Sequence, residues 1–376
     1  MWTYFADALA VALALAYAML QLRWLGTWCS LEAPDGASAA RDVARRRDFA
    51  VVVPARNEAA RIQALVRSVR EAAPRTELLI VDDHSDDATA ELARRVGASV
   101  LVLPKGEGGK KAALTLGIRA TRSEWVATLD ADTNVSFDWI DALDRYTRPD
   151  RVAVAGPVML THDGSWFGRW QALDFCGMMA ITAASLAQGD FAMGNGANLA
   201  FERAAFEAVG GYASPDGRAS ASGDDMVLLG KLQARFPGRV AFAKTRDAVV
   251  ETPAQATFGA FVQQRLRWSA KTGLNHQTSL TLVLAAVWAF HVGLLLGPFL
   301  AAVGGLSWVT LAGCWGLKLA VDYLLLRSAT AFFDRRDLLD ATYPLGSLAH
   351  ALYVAGVGTL ALLPVEFEWK GRTHRR

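Results

Sequence analysis

Nearly uncharged apolar runs bracket this 376-residue chain, and they constrain it more than any other feature. Trp2 to Leu22 is long enough to cross a bilayer. A cleaved signal peptide would carry a positive residue ahead of its apolar run. Here none precedes it, Asp7 lies near its start, and arginines follow. Arg23, Arg41, Arg45, Arg46 and Arg47 argue for a retained anchor that emerges into the cytoplasm, with the N-terminus outside. Three more runs lie near the C-terminus: about Ser279 to Val303, Gly304 to Leu326, and Asp340 to Leu363. Gly304 and Gly305 make the first two a tight hairpin, and Arg327, Arg335 and Arg336 place the next loop inside. Lys318 and Asp322 share one helix face, which predicts an ion pair within the bundle. The third run contains Pro344 and His350. A full crossing there would put the basic tail (Lys370, Arg372, Arg375, Arg376) outside, so either the run is re-entrant or the positive-inside tendency fails.

The net charge of +2 implies no general pull toward nucleic acid. Cys29, Cys176 and Cys314 are far apart and form no CxxC pair, which argues against a disulfide framework or a zinc site. Between the apolar ends, short apolar runs alternate with amphipathic segments. Strands are expected at Phe49–Val53, Leu78–Val81, Ser99–Leu103 and Trp125–Leu129. Helices are expected at Glu58–Ala72, Asp86–Val96 and Gly109–Ala120. Such alternation predicts an α/β fold with a mostly parallel, Rossmann-like sheet, whose ligands sit beyond the carboxyl ends of the strands.

The residues behind each strand therefore matter most. After the first comes Pro54-Ala55-Arg56-Asn57-Glu58, with no GxGxxG to bind a dinucleotide. Pro54, Arg56 and Glu58 are candidates for nucleotide contacts. After the second comes Asp82-Asp83-His84-Ser85-Asp86-Asp87. Ser85 or Asp86 suffices to cap a helix, which leaves Asp83 to accept from a nucleobase or ribose. Next comes Gly106-Glu107-Gly108-Gly109-Lys110-Lys111, a glycine turn that opens a helix with lysine. It is not a Walker A loop, but it suits a diphosphate, and Lys110 is the candidate contact. The fourth strand ends in Asp130-Ala131-Asp132, half of an oxygen cage for Mg²⁺ or Mn²⁺. Further on, the small residues of Gly194-Asn195-Gly196-Ala197-Asn198 either admit a sugar ring or form a plain turn. Asp224-Asp225 opens the helix Met226–Arg235, either as a cap or as a base for an acceptor hydroxyl. Gln263-Gln264-Arg265-Leu266-Arg267-Trp268 precedes the next apolar run.

The order of these motifs, DD, glycine turn with lysine, DxD, acidic pair and QxxRW, resembles the family 2 glycosyltransferases. Within them it is similar to the membrane branch that contains cellulose synthase, hyaluronan synthase and ceramide glucosyltransferase. The resemblance spans roughly Phe49 to Gly273. It implies a GT-A catalytic domain and inverting transfer from a nucleotide-sugar, a UDP-sugar by this likeness. Asp83 would contact the base, and Asp130 and Asp132 the ribose-diphosphate and the metal. Gln264, Arg267 and Trp268 match QxxRW, at the acceptor and pyrophosphate end of the site. Asp225 aligns with the usual base. Asp224 replaces the family's usual glutamate, and its role stays open.

The expected organisation is an anchor over 1–22, a basic linker over 23–48, a GT-A domain over 49–274, a transmembrane region over 279–364 and a basic tail over 365–376. That is an integral membrane protein with one N-terminal and about three C-terminal transmembrane helices and a cytoplasmic catalytic domain. Its expected partners are the nucleotide-sugar, the membrane and a lipid acceptor, with no nucleic acid. Trp166 to Leu186 either lies on the bilayer and admits that lipid or is an ordinary core helix. A growing polysaccharide is the alternative acceptor. A catalytically inactive nucleotide-binding membrane subunit is the reading of a different class.

Overall fold

The computed structural model describes residues 2–31, 47–213, 224–269, 278–363, 366–369 and 372–375. Arg41, Arg45, Arg46, Lys370 and Arg376 lie outside the described residues. The chain opens with α1 (Trp2–Ser30). Then come β1 (Phe49–Ala55), α2 (Ile62–Ala72), β2 (Glu77–Asp82), α3 (Thr89–Arg95), β3 (Ser99–Val102), α4 (Lys110–Ala120) and β4 (Trp125–Thr128). Next are β5 (Asn134–Val135), α5 (Trp139–Asp144), β6 (Ala153–Ala155), β7 (Val158–Thr161) and the long α6 (Trp166–Gln188). β8 (Leu199–Glu202), α7 (Arg203–Ala208), α8 (Asp224–Arg235), β9 (Val240–Phe242), β10 (Val250–Pro253) and α9 (Phe258–Ser269) follow. The last elements are α10 (Thr278–Ala302), α11 (Trp308–Phe332), α12 (Arg336–Thr342), α13 (Leu345–Leu360) and the hairpin strands β11 (Glu366–Trp369) and β12 (Arg372–Arg375).

These elements form two compact units. One comprises residues Leu31–Thr161 and Ser185–Pro253; the other comprises Met1–Ser30, His162–Ala184 and Ala254–Arg376. The first unit is built on a seven-stranded sheet of order β3-β2-β1-β4-β8-β6-β9. Pairing is parallel between β1 and β2, β1 and β4, β2 and β3, and β6 and β9. β8 alone is antiparallel to its neighbours β4 and β6. The β-branched run Val51–Val53 is fully buried, as a central parallel strand covered on both faces should be. Helix α4 comes so close to this strand that a Cβ on Gly117 would stand 2.4 Å from Val52 Cγ1. Glycine is the residue that permits this approach. A smaller sheet, β5-β10-β7, accompanies the large one.

The second unit is helical. Three of its helices, within Thr3–Ser30, Thr278–Ala302 and Trp308–Phe332, are long and apolar enough to cross a membrane. Ala14, Tyr17, Ala18, Phe290, Leu294, Cys314 and Val321 form a common core between them. Two boundaries differ from expectation. Helix α1 continues past Leu22 to Ser30, and α11 runs to Phe332 rather than Leu326. The extensions pack on each other: Trp28 and Phe332 rings meet edge to face at 5.2 Å, and Cys29 Sγ lies 3.5 Å from Ser328 Oγ. Arginine marks the end of the apolar pattern but is itself a good helix former, so the helix does not stop there. Ser307 accepts from the Val309 N–H and sets the start of α11 three residues beyond the glycine turn.

The third C-terminal run is broken. Pro344 separates α12 from α13, and α13 has only 16 residues. At a rise of 1.5 Å per residue it is about 24 Å long, short of a hydrocarbon core of about 30 Å. The predicted Lys318–Asp322 pair is present at 2.6 Å. Lys318 Nζ also donates to Ser347 Oγ at 2.8 Å, and Tyr17 OH donates to Asp322 at 2.6 Å. This polar network ties α1, α11 and α13 together.

Candidate active site

Several strand ends meet at one edge of the large sheet. β2, β1 and β4 are parallel neighbours, so the segments behind Asp82, Ala55 and Thr128 leave from the same edge. β8 runs the other way, with Leu199 opposite Thr128. Its reversal brings the preceding segment, Gly194–Asn198, to that edge as well. Thr128 Oγ1 anchors the segment, facing the carbonyls of Gly196 at 3.0 Å and Leu199 at 3.2 Å.

The end of β2 holds the glycine-rich turn. Asp83 is 4% exposed, and its Oδ2 accepts from the Gly109 N–H at 2.9 Å. Arg56 donates to the Asp83 carbonyl at 3.3 Å. His84 Nε2 lies 3.0 Å from the Glu107 carbonyl oxygen, at the other end of the turn. His84 and Asn57 both adopt left-handed backbone, φ 56° and 55°. Such strain in non-glycine residues persists where the surroundings over-determine it. Here they do: the Asn57 N–H donates to Ser85 Oγ at 3.0 Å, and the Asp86 N–H donates to Asn57 Oδ1 at 2.8 Å. The Glu58 N–H donates to Thr89 Oγ1 at 2.8 Å. Arg56 and Glu58 thus belong to a loop laced to the end of β2, while Pro54 is still within β1, opposite Val81 of β2. The Asp83 carboxylate, expected to meet a nucleobase, holds the turn through Gly109. The helix behind it is served by Asp87 rather than Ser85 or Asp86: Asp87 accepts from the Thr89 N–H at 3.0 Å and the Ala59 N–H at 3.1 Å. Slight burial opposes ionisation of Asp87, but the Thr89 hydroxyl, which also donates to it, and these two N–H groups outweigh it and hold the carboxyl below its usual range.

The turn delivers Lys110, the first residue of α4, to Asp130, with Nζ 2.5 Å from Oδ1. Asp132 Oδ2 lies 3.8 Å from Arg61, a residue that sequence reasoning did not single out. Asp225, near the start of α8, accepts from the Gly196 N–H at 3.0 Å and the Met226 N–H at 2.9 Å. A Cβ on Gly196 would stand 3.4 Å from Lys110 Nζ and 3.6 Å from Asp225 Cβ. Gly196 is therefore the meeting point of the lysine–aspartate pair and the second acidic motif. The side chain of Asp224 lies outside the described residues.

The rest of the Gly194–Asn198 segment is structural. A Cβ on Gly194 would strike Leu229 at 2.2 Å. Asn198 is fully buried; its Nδ2 donates to the Pro157 and Ala248 carbonyls, each at 2.8 Å, and its Oδ1 accepts from Trp139 Nε1 at 3.1 Å.

Asp130 and Asp132 supply hard oxygen donors suited to Mg²⁺ or Mn²⁺. Among the described residues no group of three His, Cys, Asp or Glu is placed to hold a metal. A cation here would take its remaining ligands from a diphosphate and water, which fits the donor set of Mg²⁺. Gln264, Arg267 and Trp268 lie on α9, in the helical unit. There the Trp268 ring faces the Arg265 guanidinium at 4.4 Å, and the two other motif residues are partly exposed. Arg265 itself is buried and pairs with Asp174 at 2.9 Å. Neither had been singled out, because nothing local in sequence marks a partner 91 residues away.

Residues 50–210 match the family model described as glycosyl transferase family 2. A 4,4'-diaponeurosporenoate glycosyltransferase of Staphylococcus haemolyticus is 35% identical over 95 residues, 24% of this chain and 25% of that protein. A glycosyltransferase of Rickettsia bellii is 33% identical over 90 residues, 24% of this chain and 29% of that protein. The chain thus spans about a quarter of the length of the curated relatives it matches. Among solved structures it is similar to the mannosyltransferase PcManGT of Pyrobaculum calidifontis, in complex with GDP-Man and Mn²⁺. The identity is 19%, the coverage is 95% of this chain and 99% of that one, and the TM-score is 0.57. The fold is the GT-A arrangement, with a mostly parallel sheet and three long apolar helices.

Proposed function

We propose that this chain, whose residues 50–210 match the glycosyl transferase family 2 model, is a family 2 glycosyltransferase that transfers a sugar from a nucleotide-sugar to a lipid acceptor at a membrane surface. The observation that carries this reading is the convergence on Gly196. Lys110 and Asp225 come from separate segments and meet beside one glycine at the carboxyl edge of the sheet, and Lys110 in turn pairs with Asp130 from a third segment. A structural role alone does not call for a cation and carboxylates gathered beside a residue without a side chain.

Lys110 and the backbone of the Gly106–Gly109 turn would bind the diphosphate at the N-terminus of α4, where N–H groups and helix dipole favour an anion. Asp83 would orient that turn through Gly109 and so set the position of Lys110. Asp130 and Asp132 would hold Mg²⁺ or Mn²⁺, which would neutralise charge on the departing diphosphate. Asp225 would take the proton from the acceptor hydroxyl as its oxygen attacks the anomeric carbon from the face opposite the diphosphate, which inverts the centre. Gly196 would leave room for the sugar between Lys110 and Asp225. Pro54, Arg56 and Glu58 would border the nucleotide, and Gln264, Arg267 and Trp268 would serve the acceptor and pyrophosphate side. Asp224 would lie beside the base.

The three long apolar helices support membrane placement, with the soluble unit on the cytoplasmic side by the arginine pattern. Three such helices among the described residues are fewer than the several that line a polymer channel, which favours a lipid over a growing polysaccharide.

The test is to incubate detergent-purified protein with a panel of UDP- and GDP-sugars, Mg²⁺ or Mn²⁺, and total membrane lipid, with 4,4'-diaponeurosporenoate included. Label in the organic phase that depends on metal and on Asp225 is the expected result. Label in high-mass polymer would replace the lipid with a polysaccharide. Nucleotide binding without sugar transfer from any donor would favour the inactive subunit.

A further inference from the structure

Apart from the donor site, the helical unit holds a buried ion pair. Arg265 of α9 and Asp174 of α6 meet at 2.9 Å with side chains 2% and 6% exposed. The Arg265 guanidinium is enclosed by the rings of Trp268 (4.4 Å), Phe261 (4.8 Å) and Tyr353 (5.2 Å), and its NH1 lies 3.1 Å from Met178 Sδ. His350 Nε2 stands 3.8 Å from the other carboxylate oxygen of Asp174. Such a pair is a poor source of net stability, because desolvation of both charges offsets their attraction, and well-packed apolar residues of similar volume often do as well or better. What a planar guanidinium fork does supply is one orientation.

That orientation bears on the motif beside it. Phe261 and Arg265 lie one turn apart and point into the unit, whereas Gln264 and Arg267 lie on the neighbouring, partly exposed face of the same helix. We propose that the Arg265–Asp174 pair is a positioning device that fixes the rotation of α9, and through it the setting of Gln264 and Arg267. The inference rests on the reading that those two residues serve the transfer site. Arg265 itself touches no reacting group. It acts through the helix that carries them.

The experiment compares full-length wild type with Arg265→Met, Asp174→Leu and the double variant R265M/D174L in detergent. Each single variant leaves a buried charge or its socket uncompensated and is expected to lose thermal stability or fail to fold. The double variant is expected to melt near wild type. In it, hydrogen exchange of the α9 amides should nevertheless accelerate about tenfold, and turnover should fall by about 10²-fold, the loss typical of a reacting group displaced by about 1 Å. Arg265→Lys alone, which keeps the charge but not the fork, should melt nearer to wild type than Arg265→Met and should still lose turnover. Wild-type exchange across α9 in the double variant would overturn the proposal, as would wild-type turnover. If wild type itself moves no sugar, the functional reading fails, while the exchange comparison still decides whether the pair sets the helix.

Discussion

Replacing Asp225 with asparagine tests the assignment of the base most directly, and the structure fixes what the replacement costs besides chemistry. Both carboxylate oxygens of Asp225 accept from backbone N–H groups, of Gly196 at 3.0 Å and Met226 at 2.9 Å. An asparagine side chain has one acceptor oxygen, so one of these N–H groups must face an NH₂. The lost hydrogen bond is worth about 0.5–1.5 kcal/mol, and the loss of a negative charge in the first turn of α8 about 0.3–1 kcal/mol. Together these predict a destabilisation of about 1–2 kcal/mol, which a protein of ordinary stability survives. The loss of a general base is larger, about 10²- to 10⁴-fold in rate, or about 2.7–5.4 kcal/mol of barrier at 1.36 kcal/mol per decade. The assay is nucleotide release at saturating donor and acceptor, with nucleotide binding followed by calorimetry on the same preparation. The expected result is a kcat reduced at least 100-fold with nucleotide affinity within a few-fold of wild type. A kcat within threefold of wild type would refute the role of Asp225. A parallel collapse of nucleotide binding would instead mean that its bond to Gly196 organises the donor site.

Asp132→Ala is expected to weaken nucleotide binding in the presence of Mn²⁺ and to leave metal-free binding unchanged; an affinity in Mn²⁺ equal to that of wild type would remove Asp132 from the metal site. Asn198→Ala would orphan the Trp139 indole N–H and the Ala248 carbonyl, and would leave the Pro157 carbonyl only the Val250 N–H at 3.0 Å. At about 1 kcal/mol or more for each orphaned group, the loss is about 2 kcal/mol, a fall of about 4–8 °C in melting temperature that a shift under 2 °C would contradict. His162 accepts from Arg335 at 2.6 Å, and burial together with the Arg335 charge lowers its pKa. The folded state therefore prefers the neutral ring, and the stability it contributes is full above the unfolded pKa of about 6.5 and lost as pH falls toward the lower folded value. Thermal melts from pH 7.5 to 5.5 should fall more steeply for wild type than for His162→Gln; parallel curves would exclude the contribution.

Much of the sheet unit was legible because its signals are local. β1 to β4 lie within two residues of the expected strands, since each is a short, continuous apolar run ended by turn residues. The Lys318–Asp322 pair was legible because helical periodicity alone puts positions four apart on one face. The reversed β8 was not, because strand direction depends on the path of the chain between strands. That reversal explains why Gly194–Asn198 reaches the site, and why Gly196 of this segment faces the charged groups while Gly194 and Asn198 turn inward. Asn198 reads in sequence as one more turn residue, yet its partners lie 41, 50 and 59 positions away. Arg265 stands inside a motif that draws the eye to Gln264, Arg267 and Trp268, and only its burial beside Asp174 separates its role from theirs.

The division of the chain also has a consequence for how the protein is made. The helical unit is assembled from three stretches, and the sheet unit from the two stretches between them. A truncated chain cut to hold the sheet unit, residues 31–253, would still carry residues 162–184, which include most of α6 with Trp170 and Phe175, both buried in the full chain. Released from Gly346 and Trp268, those apolar side chains would face water, and such a fragment should aggregate. Synthesis runs into the same geometry. The Tyr17 hydroxyl leaves the ribosome 305 residues before its partner Asp322, and Trp28 equally precedes Phe332. α1 must wait in place through the whole translation of the sheet unit, so the helical unit closes last.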